Sequence, residues 1–138
     1  METLRELLIE DYEQCMELWG NTEGMALSDA DSKESIHRYL VRNPGMSFVA
    51  TEGDRVIGTI LCGHDGRRGY IYHVAVDPAC RGRAIGQKLA KAGLDKLREE
   101  GIAKCHIMVI EENEIGNYFW AKSGWSRRDG ILLYSSNT

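Results

Sequence analysis

The residues best suited to chemistry lie together where a strand-like segment passes through a turn into a helix-like segment. Backbone N–H groups at the start of a helix lack partners within it, and the helix dipole adds about half a positive charge there. Such a turn can hold a phosphate or pyrophosphate group, which Gly82 and Gly86 would let approach the main chain. Basic side chains of the turn could add charge. The segment is Val74-Ala75-Val76-Asp77-Pro78-Ala79-Cys80-Arg81-Gly82-Arg83-Ala84-Ile85-Gly86-Gln87-Lys88-Leu89, in which Arg81, Arg83 and Lys88 are basic.

Two familiar nucleotide-binding loops do not fit this segment. A Walker A loop requires Gly-Lys-Ser/Thr, whereas Gly86 is followed by Gln87-Lys88-Leu89. The GxGxxG fingerprint of dinucleotide-binding proteins belongs to the first strand-to-helix turn, whereas this turn lies past the middle of the chain and lacks that spacing. The segment also has a purely structural explanation that the sequence does not exclude, namely a helix that merely begins with an Arg-Gly turn.

Strands on both sides of this segment must position it. The runs SFVATE and VIGTILCG are separated by Gly53-Asp54-Arg55, which predicts a tight antiparallel hairpin. A third strand runs from Tyr70 to Val76, and Asp77-Pro78 ends it. A helix follows from Arg83 to Glu100, with Gly101 at its C-terminal cap. A strand that leads into a long helix and then another strand predicts a parallel, splayed central pair inside a mixed sheet.

The rest of the chain alternates between strands and helices. Asp11 followed by Gln14 resembles a capping box at a helix start, and Trp19 belongs to the core-facing stripe of that helix. We therefore expect Trp19 to pack in the core. The remaining predicted elements are a short strand over 3–9, a helix over roughly 31–41, a strand over 104–110, a short helix over about 113–123 and one or two strands around 125–135.

Length, charge and cysteine spacing exclude several classes of protein. The 138 residues predict one domain over 1–138. The 17 Lys plus Arg against 21 Asp plus Glu give a net charge of −4, the wrong sign for a general nucleic-acid or anionic-membrane binder. No run approaches the ~20 apolar residues of a membrane span, and the N-terminus is acidic, so we expect a cytoplasmic protein. Four widely spaced cysteines predict free thiols and no metal site.

From Arg81 to Gly86 the sequence resembles the GNAT-superfamily acetyltransferases, whose signature is Arg/Gln-x-x-Gly-x-Gly/Ala between a strand and a helix. Ala84 stands where the first glycine of that signature usually lies. The resemblance covers nearly the whole chain, and residues 63–124 look especially like small bacterial YpeA-type members. It implies an α/β (α+β) fold with a mixed, mostly antiparallel twisted sheet, a splayed central parallel pair and about four flanking helices. The further matching motifs are Gly58-Thr59, Val76-Asp77-Pro78, Glu111-Glu112-Asn113 and Trp120-Ala121-Lys122-Ser123-Gly124-Trp125.

The resemblance implies that acetyl-CoA is the acetyl donor and that a primary amine of a small molecule, peptide or protein accepts the acetyl group in a ternary complex. The pyrophosphate would lie on the amides of residues 82 to 87, and the pantetheine arm would pair with the strand from Val74 to Val76. Ala84 would keep the cradle intact because a first-turn helix residue should have a negative φ. The implied cofactor-binding residues are Val74, Val76, Arg81, Gly82, Arg83, Ala84, Ile85, Gly86, Gln87 and Asn113.

The catalytic residues leave more than one assignment open. In many family members a tyrosine protonates the leaving thiolate, but here Trp120 holds that place, and an indole N–H cannot titrate. Tyr72, His73 and Glu111 are candidates for the base that takes the proton of the amine. Tyr72 and His73 should lie on opposite faces of their strand, with Tyr72 in phase with Val74 and Val76. His73 and Glu111 each also have a purely structural explanation that the sequence does not exclude. His73 could be a histidine packed in the core, and Glu111 could belong to a solvated acidic turn.

A second class of function stays open beside the enzyme. Ala84 and Trp120 both depart from the family pattern, so the chain could be an acetyl-CoA- or CoA-sensing module with weak or no catalysis. No code in the sequence identifies the acceptor amine. An exposed edge strand near the C-terminus could support a homodimer.

Overall fold

A hairpin of aliphatic and β-branched residues forms the centre of the sheet. In the computed structural model, which describes residues 1–138, β2 (Phe48–Glu52) and β3 (Arg55–His64) run antiparallel. Gly53 takes a φ of +61°, the left-handed conformation that a two-residue turn requires and that glycine adopts without a steric cost. β3 is buried from residue 56 to residue 63. The predicted hairpin is confirmed.

The sheet has five strands in the order β1-β2-β3-β4-β5. β1 (Thr3–Glu6) pairs antiparallel with β2, and β4 (Gly69–Val76) pairs antiparallel with β3. β5 (Cys105–Ile107) pairs with β4 in parallel, because the helix between these two strands carries the chain back to the same end of the sheet. The predicted mixed α+β fold is confirmed, although the parallel pair lies at the end of the sheet rather than in its centre.

Three helices cover the two faces of the sheet. α1 (Tyr12–Gly20) and α2 (Lys33–Arg42) bury side chains in one core cluster with Leu61 of β3. α3 (Ile85–Glu99) packs against Gly58 and Cys62 of the same strand. Neighbouring strand residues point to opposite faces, so α1 and α2 lie on one face and α3 lies on the other. None of the helices combines the length and apolar character needed to cross a membrane.

Contacts between Cα atoms divide the chain into two compact units, residues 1–108 and 109–138. The first unit contains the sheet and the first three helices. The second contains α4 (Glu114–Lys122), which confirms the short helix predicted near 113–123.

The predicted strands around 125–135 are wrong. A strand requires a partner for its N–H and C=O groups, and no backbone hydrogen bond involves a residue beyond Trp125. The apolar run from Ile131 to Tyr134 stays exposed. The strand predicted over 104–110 is also shorter, because only Gly69 to Ile71 of β4 provide partners for β5.

The predicted capping box at Asp11 and Gln14 is wrong as well. Both oxygens of the Asp11 carboxylate lie 2.8 Å from Arg5 guanidinium nitrogens, and the same carboxylate accepts the N–H of Leu8. The Arg5 guanidinium holds the pKa of Asp11 below its usual range. Gln14 instead accepts the N–H of Val56 at 2.9 Å, which ties α1 to the start of β3. Asp11 therefore bonds to residues that precede it by three and six positions, whereas Gln14 joins a segment 42 residues away, a role that local spacing does not encode.

All four cysteines are free thiols, as the sequence predicts. Cys15, Cys62 and Cys80 are buried and Cys105 is partly buried. Burial raises the pKa of Cys15 and of Cys62 to about 12, so both thiols stay protonated at neutral pH.

Candidate functional site

The turn between β4 and α3 presents six consecutive backbone N–H groups, those of residues 82 to 87, that have no hydrogen-bond partner in the protein. Before the turn, the N–H of Arg81 donates to the carbonyl oxygen of Pro78 at 3.4 Å. After it, the N–H of Lys88 donates to the carbonyl oxygen of Ala84 at 3.0 Å, which is the first bond of the helix. We call residues 82–87 the amide cradle. Its unpaired donors and the positive end of the helix dipole are suited to an anion such as a phosphate.

Two left-handed residues shape the amide cradle. Gly82 has a φ of +86°, and no atom lies within 4 Å of the position that a Cβ would take there. Ala84 has a φ of +59° and a ψ of 24°, so the negative φ predicted for it is wrong. Ala84 is the residue before the first turn of α3 rather than part of that turn, and its left-handed backbone turns the chain into the helix. Alternation of left-handed with right-handed or extended residues points successive N–H groups into one concavity.

The left-handed backbone of Ala84 predicts a stabilising substitution. A left-handed alanine is strained by roughly 1–2 kcal/mol, which glycine avoids, whereas the greater freedom of glycine in the unfolded chain offsets about 0.4–1 kcal/mol. Ala84→Gly should therefore raise the free energy of unfolding by about 0.5–1 kcal/mol, measured by urea denaturation. The matched control is Ala90→Gly inside α3, which should lower the same quantity by about 1 kcal/mol. Equal losses in both variants would contradict the left-handed conformation of Ala84.

Two of the three basic side chains near the amide cradle are already paired with carboxylates. Arg83 donates to Glu52 at 2.7 Å, and Lys88 donates to Glu2 at 2.6 Å. The hydrogen bond from Arg83 lowers the pKa of Glu52, so that carboxylate stays ionised at neutral pH. Arg81 is exposed and has no carboxylate partner. Arg81 is therefore the side chain whose charge is available to an anion in the cradle.

Asp77 fixes the path of the chain from β4 into the cradle. Its carboxylate accepts the N–H of Ala79 at 2.9 Å and so caps the 3-10 helix Pro78–Cys80. Arg55 donates to the same carboxylate at 2.7 Å. Both hydrogen bonds lower the pKa of Asp77, and the one from Ala79 has the larger effect.

The edge of β4 that leads to the cradle is open, and it contains a bulge. β5 pairs with β4 only as far as Ile71, so no strand covers the residues from 72 to 76 on that side. On the other side the register with β3 shifts, because His73 and Val74 together oppose the single residue Ile60. A bulge leaves its extra residue outside the ladder and bends the strand. The β4 edge therefore carries backbone donors and acceptors that an extended ligand could use.

The bulge changes the direction of His73. The prediction that His73 and Tyr72 lie on opposite faces is wrong, because the extra residue breaks the alternation. Ala75 belongs to the core cluster that α1 and α2 share with the sheet, and Tyr72 packs against that cluster, so the expected phase of Tyr72 with Val74 and Val76 is wrong too. His73 has a φ of +50°, and its ring lies 4.7 Å from the ring of Trp19 on the same side of the sheet. Its Nε2 atom lies 2.6 Å from Oδ1 of Asp31.

Tyr72 packs edge to face against Tyr39, with ring centroids 6.3 Å apart. Burial is the main cause that raises the pKa of Tyr72, with smaller contributions from Tyr70 and Cys105. The phenol therefore stays protonated at neutral pH, which disfavours Tyr72 as a base.

The remaining predicted site residues belong to the second unit. Asn113 caps α4, because its Oδ1 accepts the N–H of Gly116 at 3.0 Å. Glu111 is exposed, and its side chain makes no hydrogen bond or ion pair in the protein. Trp120 is 8% exposed and packs edge to face against Phe119 and Trp125 at 4.8 Å from each.

Sequence reasoning missed Asp31, which lies in a polar stretch with no motif around it. Only the fold brings its carboxylate to His73, 42 residues away. No group of three or more His, Cys, Asp or Glu side chains is placed so as to hold a metal ion.

Comparison with known proteins identifies the family. The pattern of the family described as Acetyltransferase (GNAT) family matches residues 1–125. The chain belongs to this GNAT family of acetyltransferases. Within it, Acetyltransferase SG1711 of Sodalis glossinidius is 31% identical, over 90% of this chain and 87% of the relative.

Solved GNAT structures share the fold. The PaiA N-acetyltransferase of Thermoplasma acidophilum, in complex with coenzyme A, has a TM-score of 0.81 and 23% identity, covering 94% of this chain and 92% of that chain. The protein AAC(6')-Iy, in complex with the bisubstrate analogue CoA-S-monomethyl-acetylneamine, has a TM-score of 0.75 and 16% identity, covering 100% of this chain and 99% of that chain.

Proposed function

We propose that this GNAT protein is an N-acetyltransferase that transfers the acetyl group of acetyl-CoA directly to a primary amine in a ternary complex. The observation that carries the proposal is the set of six unpaired amides of the cradle, which follows directly on the open edge of β4. The match of the family to residues 1–125 supports treating residues 1–138 as one N-acetyltransferase domain. The complexes of structural neighbours with coenzyme A support acetyl-CoA as the donor.

Acetyl-CoA supplies an activated thioester, whose carbonyl carbon is attacked by the amine nitrogen. We propose that the cradle amides bind the pyrophosphate, with Arg81 adding its charge. The free edge of β4 from Val74 to Val76 would pair with the amide groups of the pantetheine arm, as an added strand does. The N–H of Val74, at the bulge, would donate to the thioester oxygen as that oxygen gains negative charge.

The amine must lose a proton before or during the attack. At pH 7 a lysine-like amine with a pKa of about 10.4 is neutral in roughly one molecule of 2,500, whereas a peptide α-amine near pKa 7.7–8 requires much less help. We propose that His73 is the base, because it shares the bulge of β4 with Val74 and histidine is the side chain most often used as a general base. At the position of Trp120 no titratable group is present, so the thiolate leaves without an acid from that residue.

A direct test incubates the protein with acetyl-CoA and a panel of amines, which includes peptides with free α-amines, lysine-containing peptides and small-molecule amines. Thiol release follows the reaction, and calorimetry measures the binding of acetyl-CoA. We expect binding in the micromolar range and amine-dependent thiol release for at least one class. Tight binding without amine-dependent turnover would favour the CoA-sensing module, which the departures at Ala84 and Trp120 support. Absence of binding at millimolar acetyl-CoA would contradict both functions.

A further inference from the structure

The carboxylate of Asp31 is buried and fixed from several directions. Asp31 ends the 3-10 helix Asp29–Asp31 and is 7% exposed. Its Oδ2 accepts the N–H of Ser28 at 2.9 Å, and its Oδ1 lies 2.6 Å from Nε2 of His73. The hydroxyl of Tyr12 donates to the Asp31 carbonyl oxygen at 2.6 Å. A buried carboxylate is retained only where hydrogen bonds compensate its lost hydration, and here His73 supplies one of them.

The backbone and ring of His73 are held as firmly as the carboxylate. The hydroxyl of Thr59 donates to the His73 carbonyl oxygen at 2.8 Å, and the indole N–H of Trp19 donates to the same hydroxyl at 2.8 Å. A φ of +50° at a non-glycine residue costs about 1–3 kcal/mol, so it persists only where neighbouring contacts impose it. The bond from Thr59 fixes the backbone of His73 at the bulge of β4, and the contacts with Asp31 and Trp19 fix its ring.

The partner of Nε2 determines which nitrogen of His73 can take a proton. An ionised carboxylate only accepts hydrogen bonds, so Nε2 must carry the hydrogen and Nδ1 is the unprotonated nitrogen of the neutral ring. Nδ1 makes no hydrogen bond within the protein. The fully buried side-chain polar atoms without a partner are Tyr39 Oη and Ser123 Oγ, so Nδ1 keeps contact with solvent.

We propose that Asp31 is a positioning residue, which holds His73 in the Nε2–H tautomer so that Nδ1 takes the proton of the acceptor amine. This inference rests on the proposed function. In the step, the amine nitrogen bonds to the acetyl carbon, the carbon–sulfur bond breaks with its electron pair on sulfur, and the amine proton moves to Nδ1. The carboxylate of Asp31 then stabilises the imidazolium, which later releases the proton to solvent.

The substitution Asp31→Asn tests this role because an amide has one accepting oxygen and one NH₂ group. Ser28 and His73 bond to different oxygens of Asp31, so if the amide oxygen takes the place of Oδ2 and keeps the bond to Ser28, the NH₂ group takes the place of Oδ1. It then faces Nε2 and forces the wrong tautomer. We expect kcat to fall about 10–100-fold, with the Kd of acetyl-CoA unchanged. This is less than the roughly 10²–10⁴-fold that a general base contributes, because the base is held in the wrong tautomer rather than removed. Asp29→Asn is the matched control, since Asp29 is exposed in the same 3-10 helix, and it should keep the full kcat.

A double-mutant cycle separates positioning from a general structural defect. If Asp31 acts only through His73, then Asp31→Asn added to His73→Ala should lower kcat no further than His73→Ala alone. Independent losses that multiply in the double variant would overturn the proposal. So would equal values of kcat in Asp31→Asn and Asp29→Asn.

Nitrogen-15 NMR of the His73 ring tests the proposal on the wild-type protein. The test therefore remains available if Asp31→Asn fails to fold. The neutral form of the His73 ring in the wild type should carry hydrogen on Nε2 alone, and a neutral ring with hydrogen on Nδ1 would overturn the proposal. The result is separate from the test of the function itself. If the wild type turns over amines but Asp31→Asn is fully active, only the role of Asp31 fails. If no amine is acetylated, the proposed function fails and this role fails with it.

Discussion

Replacing Trp19 with alanine is expected to lower the free energy of unfolding by about 3–5 kcal/mol, the range for truncating a large buried aromatic side chain. Trp19 belongs to α1, is 1% exposed and lies in the core cluster that α1 and α2 share with the sheet. The truncation leaves a cavity and also removes the indole donor from the hydroxyl of Thr59, which is fully buried. Guanidinium chloride denaturation, followed by circular dichroism, measures the loss.

The substitution Trp19→Phe separates the packing of the ring from its hydrogen bond. Phenylalanine keeps a large apolar ring in the core but lacks the N–H, so its cost should be clearly smaller than that of alanine. Tyr118→Ala is an exposed aromatic control, because Tyr118 is 65% exposed and its removal should change the free energy of unfolding by no more than about 0.5 kcal/mol. A cost of Trp19→Ala that is no greater than this control would show that the ring is not part of the core.

Local chemistry in the sequence is enough to predict most of the fold. Gly53-Asp54-Arg55 between two apolar runs specifies a hairpin, and Asp77-Pro78 ends the next strand where the structure ends it. The long helix ends at Glu99, two residues before a left-handed glycine, Gly101, as its C-terminal signal predicts. These features depend on residues that are neighbours along the chain, so the sequence alone contains the necessary information.

The strands of the last third were harder to predict because they depend on distant partners. A segment with strand-like composition becomes a strand only where another strand accepts its hydrogen bonds. The run Cys105–Ile107 finds Gly69–Ile71 and pairs, whereas the apolar run from Ile131 finds no backbone partner. Composition is similar in the two cases and does not distinguish them.

In the candidate site, too, the features that depend on neighbouring residues were predictable and the others were not. The cradle over residues 82–87 was predictable, because a strand, a glycine-containing turn and a helix start lie in one continuous segment. The left-handed Ala84 was not, since alanine normally disfavours that conformation and only the geometry of the turn imposes it. The bulge at His73 was not predictable either, because a one-residue shift between two strands leaves no mark in either sequence.

The second large effect is expected for Arg81→Glu, which should weaken the binding of acetyl-CoA because it reverses a charge beside the cradle. Arg83 and Lys88 are engaged with Glu52 and Glu2, so Arg81 carries the unpaired positive charge next to the amides. A charge-assisted hydrogen bond to a phosphate is among the stronger polar contacts, and a carboxylate in its place would repel the pyrophosphate. The Kd of acetyl-CoA should rise roughly tenfold or more in calorimetry at low ionic strength, and the difference should shrink as salt is added.

Arg67→Glu is the control that isolates position from net charge. Arg67 is exposed in the turn between β3 and β4 and has no ion pair. That turn lies at the opposite end of β4, which has 8 residues and so spans roughly 25 Å. Both substitutions change the net charge by the same amount, so any long-range effect on the anionic ligand is shared. Equal increases of Kd in the two variants would show that acetyl-CoA responds to the overall charge of the protein and would contradict a phosphate site at the cradle.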